Sequence, residues 1–122
     1  MATSVTSSRI AVFGLGRMGG PIARALAEHH VVVGYDPVLR PGDPLAIAAS
    51  ADVLVTVLPG AAEAALLEPV LAALPPGALW LDLTSSDPRV TESLALKMQE
   101  IFVVGAPMAG GPAAAGAKNP RF

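Results

Sequence analysis

The chain contains no cysteine and only two histidines, His29 and His30, side by side. Without cysteine there are no disulfides, no cysteine-held zinc and no thiol catalysis. Two adjacent histidines after a helical pattern read as a shield for a helix C-terminus, not as a metal set. Aromatic residues are 4% and charged residues 15% of 122 positions, and the net charge is −2. The eight Lys and Arg are scattered, which leaves no nucleic-acid surface and no basic membrane patch. No apolar run approaches the ~20 residues that span a bilayer. Met1–Ser8 is rich in Ser and Thr with no apolar centre, so it reads as a disordered lead-in and not a secretion signal. A cytoplasmic protein is the expectation.

What the chain does have is apolar bulk, 52% of its residues, punctuated by 12 glycines and 12 prolines. Its length suits one domain, able to bury about two thirds of the surface its unfolded chain exposes. The organising stretch is Arg9–Leu26, RIAVFGLGRMGGPIARAL. An apolar run, Ile10–Phe13, leads into Gly14, Gly16 and Gly19. Ile22, Ala25 and Leu26 then recur at helical spacing. Strand, glycine turn and helix in that order suit a dinucleotide pyrophosphate. Gly14 allows the sharp turn, Gly16 the approach of the phosphates, and Gly19 close packing of helix on sheet. The helix N-terminus adds free N–H groups and partial positive charge.

A second strand-like run, Val31–Tyr35, ends at Asp36, roughly 20 residues past the glycines. A carboxylate there accepts hydrogen bonds from ribose hydroxyls and disfavours a 2′-phosphate, which points to NAD. Arg40 lies close enough in sequence to accommodate such a phosphate, so NADP is the alternative. An ordinary glycine loop followed by a turn-forming Asp-Pro would look similar, but it would not account for the spacing and the flanking elements together.

Downstream, strand-like runs alternate with helical ones. Leu45–Ser50 is a short helical piece, and Val53–Leu58 a strand ending in Pro59-Gly60. Ala61–Leu67 and Val70–Leu74 are helical, with Pro69 expected to break or restart the helix. Ala78–Leu83 is a strand, Pro88–Gln99 a helix, and Ile101–Val104 the last strand. Nearly continuous apolar strands between helices imply a parallel sheet covered on both faces. Phe13, Trp80 and Phe102 fall in strands, where core packing is the expected role. The polar or Gly/Pro segments follow strand ends, where an open α/β sheet binds small molecules.

On these residues the chain resembles the N-terminal domain of the β-hydroxyacid dehydrogenase family, which includes 3-hydroxyisobutyrate dehydrogenase and tartronate semialdehyde reductase. Imine reductases are close relatives. The resemblance covers Arg9–Gly116. It rests on Gly14-Leu15-Gly16-Arg17-Met18-Gly19-Gly20-Pro21, which is similar to G-L-G-x-M-G-x-P, on Leu58-Pro59, on Asp82-Leu83-Thr84-Ser85, and on Ala106-Pro107 with Gly110-Gly111. It implies an α/β fold, a Rossmann-type doubly wound parallel sheet. Between Asp36 and Asp52 the chain is too short for the family's helix and third strand, so one edge strand should be missing.

The resemblance further implies that Gly14, Leu15, Gly16, Arg17, Met18, Gly19, Asp36, Leu58, Pro59, Thr84 and Ser85 bind the cofactor. Leu58, Pro59 and Ser85 would flank the nicotinamide, and Arg17 would cover the phosphates. Ala109, Gly110 and Gly111 would contact a small-molecule substrate. Where the family usually has Asp and Ser, this chain has Gly105 and Ala109; Met108-Ala109 and Asp82–Ser85 are similar to imine reductases instead. The family's catalytic lysine lies on a helix beyond this domain, within an all-α region that this sequence does not reach, and Lys118 does not match it. The expected layout is a dinucleotide-binding domain over 9–117, a tail over 118–122, and no catalytic residue. Carbonyl reduction of a β-hydroxyacid type comes first, imine reduction second, and a truncated dinucleotide binder without catalysis third. Apolar surface near Ala106–Ala117 implies self-association or a helical partner domain.

Overall fold

The computed structural model describes residues 8–57, 64–83, 88–98 and 100–105. Five strands form one parallel sheet in the order β2-β1-β3-β4-β5. They are β1 (Arg9–Phe13), β2 (Val31–Tyr35), β3 (Val53–Thr56), β4 (Leu79–Asp82) and β5 (Phe102–Gly105). The helices between them are α1 (Gly19–Leu26), α2 (Pro44–Ala49), α3 (Ala64–Ala73) and α4 (Pro88–Lys97). β2 is therefore an edge strand, and residues 36–52 hold only α2, as the shortened spacing implied.

Alternation along the strands sorts the core into two layers. Ala11, Phe13, Leu54 and Trp80 face one side, where Ala48 of α2, Leu67, Val70 and Leu71 of α3 and Leu94 of α4 pack. Ile10, Val12 and Val55 face the other, against Ile22, Ala23 and Leu26 of α1. One helix thus covers one face and three cover the other. The chain changes faces between α1 and α2, so the order reverses at β1, between β2 and β3. A crevice opens at such a switch point, beyond the carboxyl ends of the strands.

Each helix has a local reason. Asp43 caps α2, its carboxylate accepting from the Leu45 and Ala46 amides at 3.2 Å, with Pro44 in the first turn. α3 corrects the expectation at Pro69, for the helix runs through it unbroken. Leu67, Val70, Leu71 and Leu74 recur on its buried face, and burying each contributes about 1.5–3 kcal/mol. Together they exceed the roughly 3 kcal/mol that an interior proline costs. The histidines also differ from expectation. Backbone amides of His29 and His30 close the end of α1 on the Leu26 carbonyl, while the His30 Nδ1 accepts from the Ser8 amide at 3.3 Å.

Candidate functional site

Parallel register sets the strand ends level: Phe13 pairs with Tyr35 and Thr56, Thr56 with Asp82, and Asp82 with Gly105. The segments leaving those ends therefore start along one line. Among the predicted site residues, Gly14, Leu15, Gly16, Arg17, Met18 and Gly19 form the β1–α1 connection, and Asp36 directly follows β2. Leu58, Pro59, Thr84, Ser85, Ala109, Gly110 and Gly111 lie outside the described residues.

The loop glycines have distinct physical causes. Gly14 has φ +98°, which L side chains rarely adopt, and its amide donates to the Tyr35 carbonyl at 2.8 Å. A methyl at Gly19 would overlap the Gly14 carbonyl oxygen, so the start of α1 lies against the turn. A methyl at Gly20 would sit 3.0 Å from the Leu15 carbonyl oxygen. Gly16 differs: its φ is not positive, and a methyl there would meet nothing within 4 Å. The fold does not require glycine at this position.

The same stretch offers main-chain donors. Met18 precedes α1 without a capping side chain. Among the described residues, no acceptor takes the N–H of Gly16, Arg17, Met18 or Gly19. Arg17 is exposed beside them. Successive free amides at a strand-to-helix turn make a concavity suited to an anion.

Asp36 ties this loop to the second strand. One carboxylate oxygen accepts from the Leu15 amide at 3.0 Å. The other accepts from Val38 and Leu39 at 2.9 and 3.0 Å, closing an Asx turn. These bonds, the one from Leu15 foremost, hold the carboxyl below its ordinary range. The backbone then doubles back, Asp36 and Arg40 exchanging amide–carbonyl bonds at 2.9 and 3.0 Å.

Two features at this end of the sheet were not singled out from the sequence. Gly34 seats the Leu15 side chain, since a methyl there would lie 2.8 Å from Leu15 Cδ1. A glycine inside a strand run signals such an approach. At the ends of β3 and β4, the Trp80 indole N–H donates to Thr56 Oγ1 at 2.9 Å, and the Thr56 hydroxyl donates to Asp82 at 3.0 Å. All three side chains are buried, so Trp80 packs in the core as expected and also anchors a polar chain. An apolar hollow between β1, β2 and α2, lined by Val31, Val33, Ile47 and Ala51, lies at the opposite end of the strands.

Comparison with known proteins agrees with this geometry. The family model for the NAD binding domain of 6-phosphogluconate dehydrogenase matches residues 39–120. Mitochondrial 3-hydroxyisobutyrate dehydrogenase of Mus musculus is 29% identical over 132 residues, covering 93% of this chain and 39% of that protein. The structure of Mycobacterium tuberculosis 3-hydroxyisobutyrate dehydrogenase with L-serine superposes with a TM-score of 0.79 at 26% identity, covering 93% of this chain and 45% of that one. An imine reductase from Myxococcus stipitatus, a variant solved with NAD+, gives 0.72 at 17% identity over 88% of this chain and 42% of that one. That last likeness shows the fold alone. The chain spans less than half the length of each of these proteins.

Proposed function

Because the chain belongs to the family of NAD-binding domains represented by that of 6-phosphogluconate dehydrogenase, we propose that it is the dinucleotide-holding part of a hydride-transferring oxidoreductase acting on a small β-hydroxyacid-type substrate. The observation that carries the reading is Gly16. Its missing side chain leaves open space beside four free amides, and a pyrophosphate fits that cradle.

When bound, the nicotinamide dinucleotide supplies the hydride chemistry. This chain's residues bind and orient it. The amides of residues 16–19 and the α1 N-terminus would take the pyrophosphate, with Arg17 over it. Asp36 would accept from the adenosine ribose, which favours NAD and leaves NADP as the alternative. Leu58, Pro59, Thr84 and Ser85 would flank the nicotinamide. Ala109, Gly110 and Gly111 would form part of a substrate wall. The Trp80–Thr56–Asp82 chain would stiffen the strand ends from which these segments leave. Imine reduction is the second reading, carried by Asp82–Ser85 and Met108-Ala109. The proton donor belongs to a helical domain beyond the described elements, and pairing with such a domain or with a second copy is part of the proposal. A cytoplasmic location belongs to it too; no helix among the described residues is long and apolar enough to cross a membrane.

Calorimetric titration with NADH tests the cradle. The native chain should bind in the micromolar range. Gly16→Ala should lose that binding while keeping its stability or gaining about 0.4–1 kcal/mol, because the position suits alanine. Gly19→Ala, which overlaps backbone, should lose about 1–3 kcal/mol of stability. Undiminished NADH binding by Gly16→Ala would refute the assignment.

A further inference from the structure

Building on the dinucleotide reading, we infer that Arg40 is the specificity-determining residue of this crevice and admits a 2′-phosphorylated dinucleotide alongside the unphosphorylated one. Asp36, in this arrangement, is mainly a strut for the glycine loop.

The argument begins with Asp36. An ionised carboxylate has about four acceptor positions, and main-chain amides of Leu15, Val38 and Leu39 occupy three. One remains for a ribose hydroxyl. The carboxylate joins two backbone segments, and its charge is met by three N–H dipoles. It opposes a neighbouring phosphate less than a bare carboxylate at the same place would.

Arg40 is fixed by the same turn. Asp36 and Arg40 form a mutually hydrogen-bonded antiparallel pair. Directly opposed residues of such a pair carry their side chains on one face, about 5 Å apart at Cβ. The Asp36 side chain reaches the glycine loop at Leu15, so Arg40 stems from the loop-facing side of the turn. Arg40 is exposed, and among the described residues no carboxylate pairs with it. Its guanidinium offers five N–H donors in a planar fork that matches two phosphate oxygens at once. The group flanking a ribose held at Asp36 is therefore cationic and unpaired. Arg17 and Arg24, the other cations near the loop, lie in the β1–α1 connection and the last turn of α1, away from this turn.

Titration with NADH and NADPH separates this inference from the reading on which it rests. The native chain should bind NADPH within about tenfold of NADH. Arg40→Gln should weaken NADPH by about tenfold or more, the scale of one charge-assisted contact, and change NADH by less than about twofold. Arg40→Lys should restore part of the loss, and Arg17→Ala should weaken both ligands alike. If NADH binds and Arg40→Gln leaves the ratio of the two affinities unchanged, Arg40 is not the selector and the dinucleotide reading stands. Binding of neither ligand by the native chain overturns both.

Discussion

Asp36 shows how one side chain can serve the fold and the site together. It holds Leu15 from across the crevice and closes its own turn through Val38 and Leu39. These amides favour the ionised form and lower its pKa below the ordinary 3.8. A group depressed in the folded state contributes stability that is present above its unfolded pKa and is lost as pH falls through the folded one. The stability gap between the native chain and Asp36→Asn should thus be level above about pH 5 and shrink below about pH 4. Urea midpoints measured from pH 3 to 7 would check it; a gap that persists undiminished at pH 3 would mean that the ionised carboxylate is not the source. The position of Asp36 was legible in the sequence because it depends on chain distance from the glycines. Its bond to Leu15 was not, since that bond needs Gly34 to seat the Leu15 side chain and bring the loop over β2.

At the scale of elements, the strands were readable because parallel strands buried on both faces are short apolar runs that contain little else. The missing edge strand was readable from length, since residues 36–52 accommodate α2 and no further strand. α3 was misread at one residue, for a physical reason. The proline rule is local, whereas the outcome depends on how much apolar surface the rest of the helix buries. Leu67, Val70, Leu71 and Leu74 hold α3 on the sheet, and Pro69 lies on its exposed side. Pro69→Ala supplies the missing N–H and removes the ring, while giving the unfolded chain back some freedom. A net gain of about 1–2 kcal/mol is expected, visible as a higher urea midpoint with an unchanged slope. A loss of stability would show that the ring packs usefully in α3. The Trp80–Thr56–Asp82 chain was beyond sequence reading, because Thr56 and Asp82 look like ordinary strand-end polar residues until register places them side by side.

The whole molecule is asymmetric. Three helices cover one face of the sheet and α1 covers the other, so the α1 face thins out toward β4 and β5. Register places Phe102 beside Leu79 and Val104 beside Leu81 on that face. Phe102 is 68% exposed and Val104 46%, with Leu79 and Leu81 half-buried. β5 is also an edge strand, and Phe102–Gly105 carries neither of the charge or proline devices that commonly blunt such an edge. An apolar strip on an unguarded edge favours association. Light scattering on the purified chain should therefore show a mass that rises with concentration, and Phe102→Lys should reduce that rise. The thermal midpoint of the variant should stay close to the native one, because an exposed side chain contributes little to the core. A native chain that stays monomeric across the concentration range would exclude this strip as a contact surface. If Phe102→Lys associates as strongly as the native chain, the contact lies elsewhere on the molecule, and the β2 edge with Val31 and Val33, 53% and 40% exposed, becomes the surface to test.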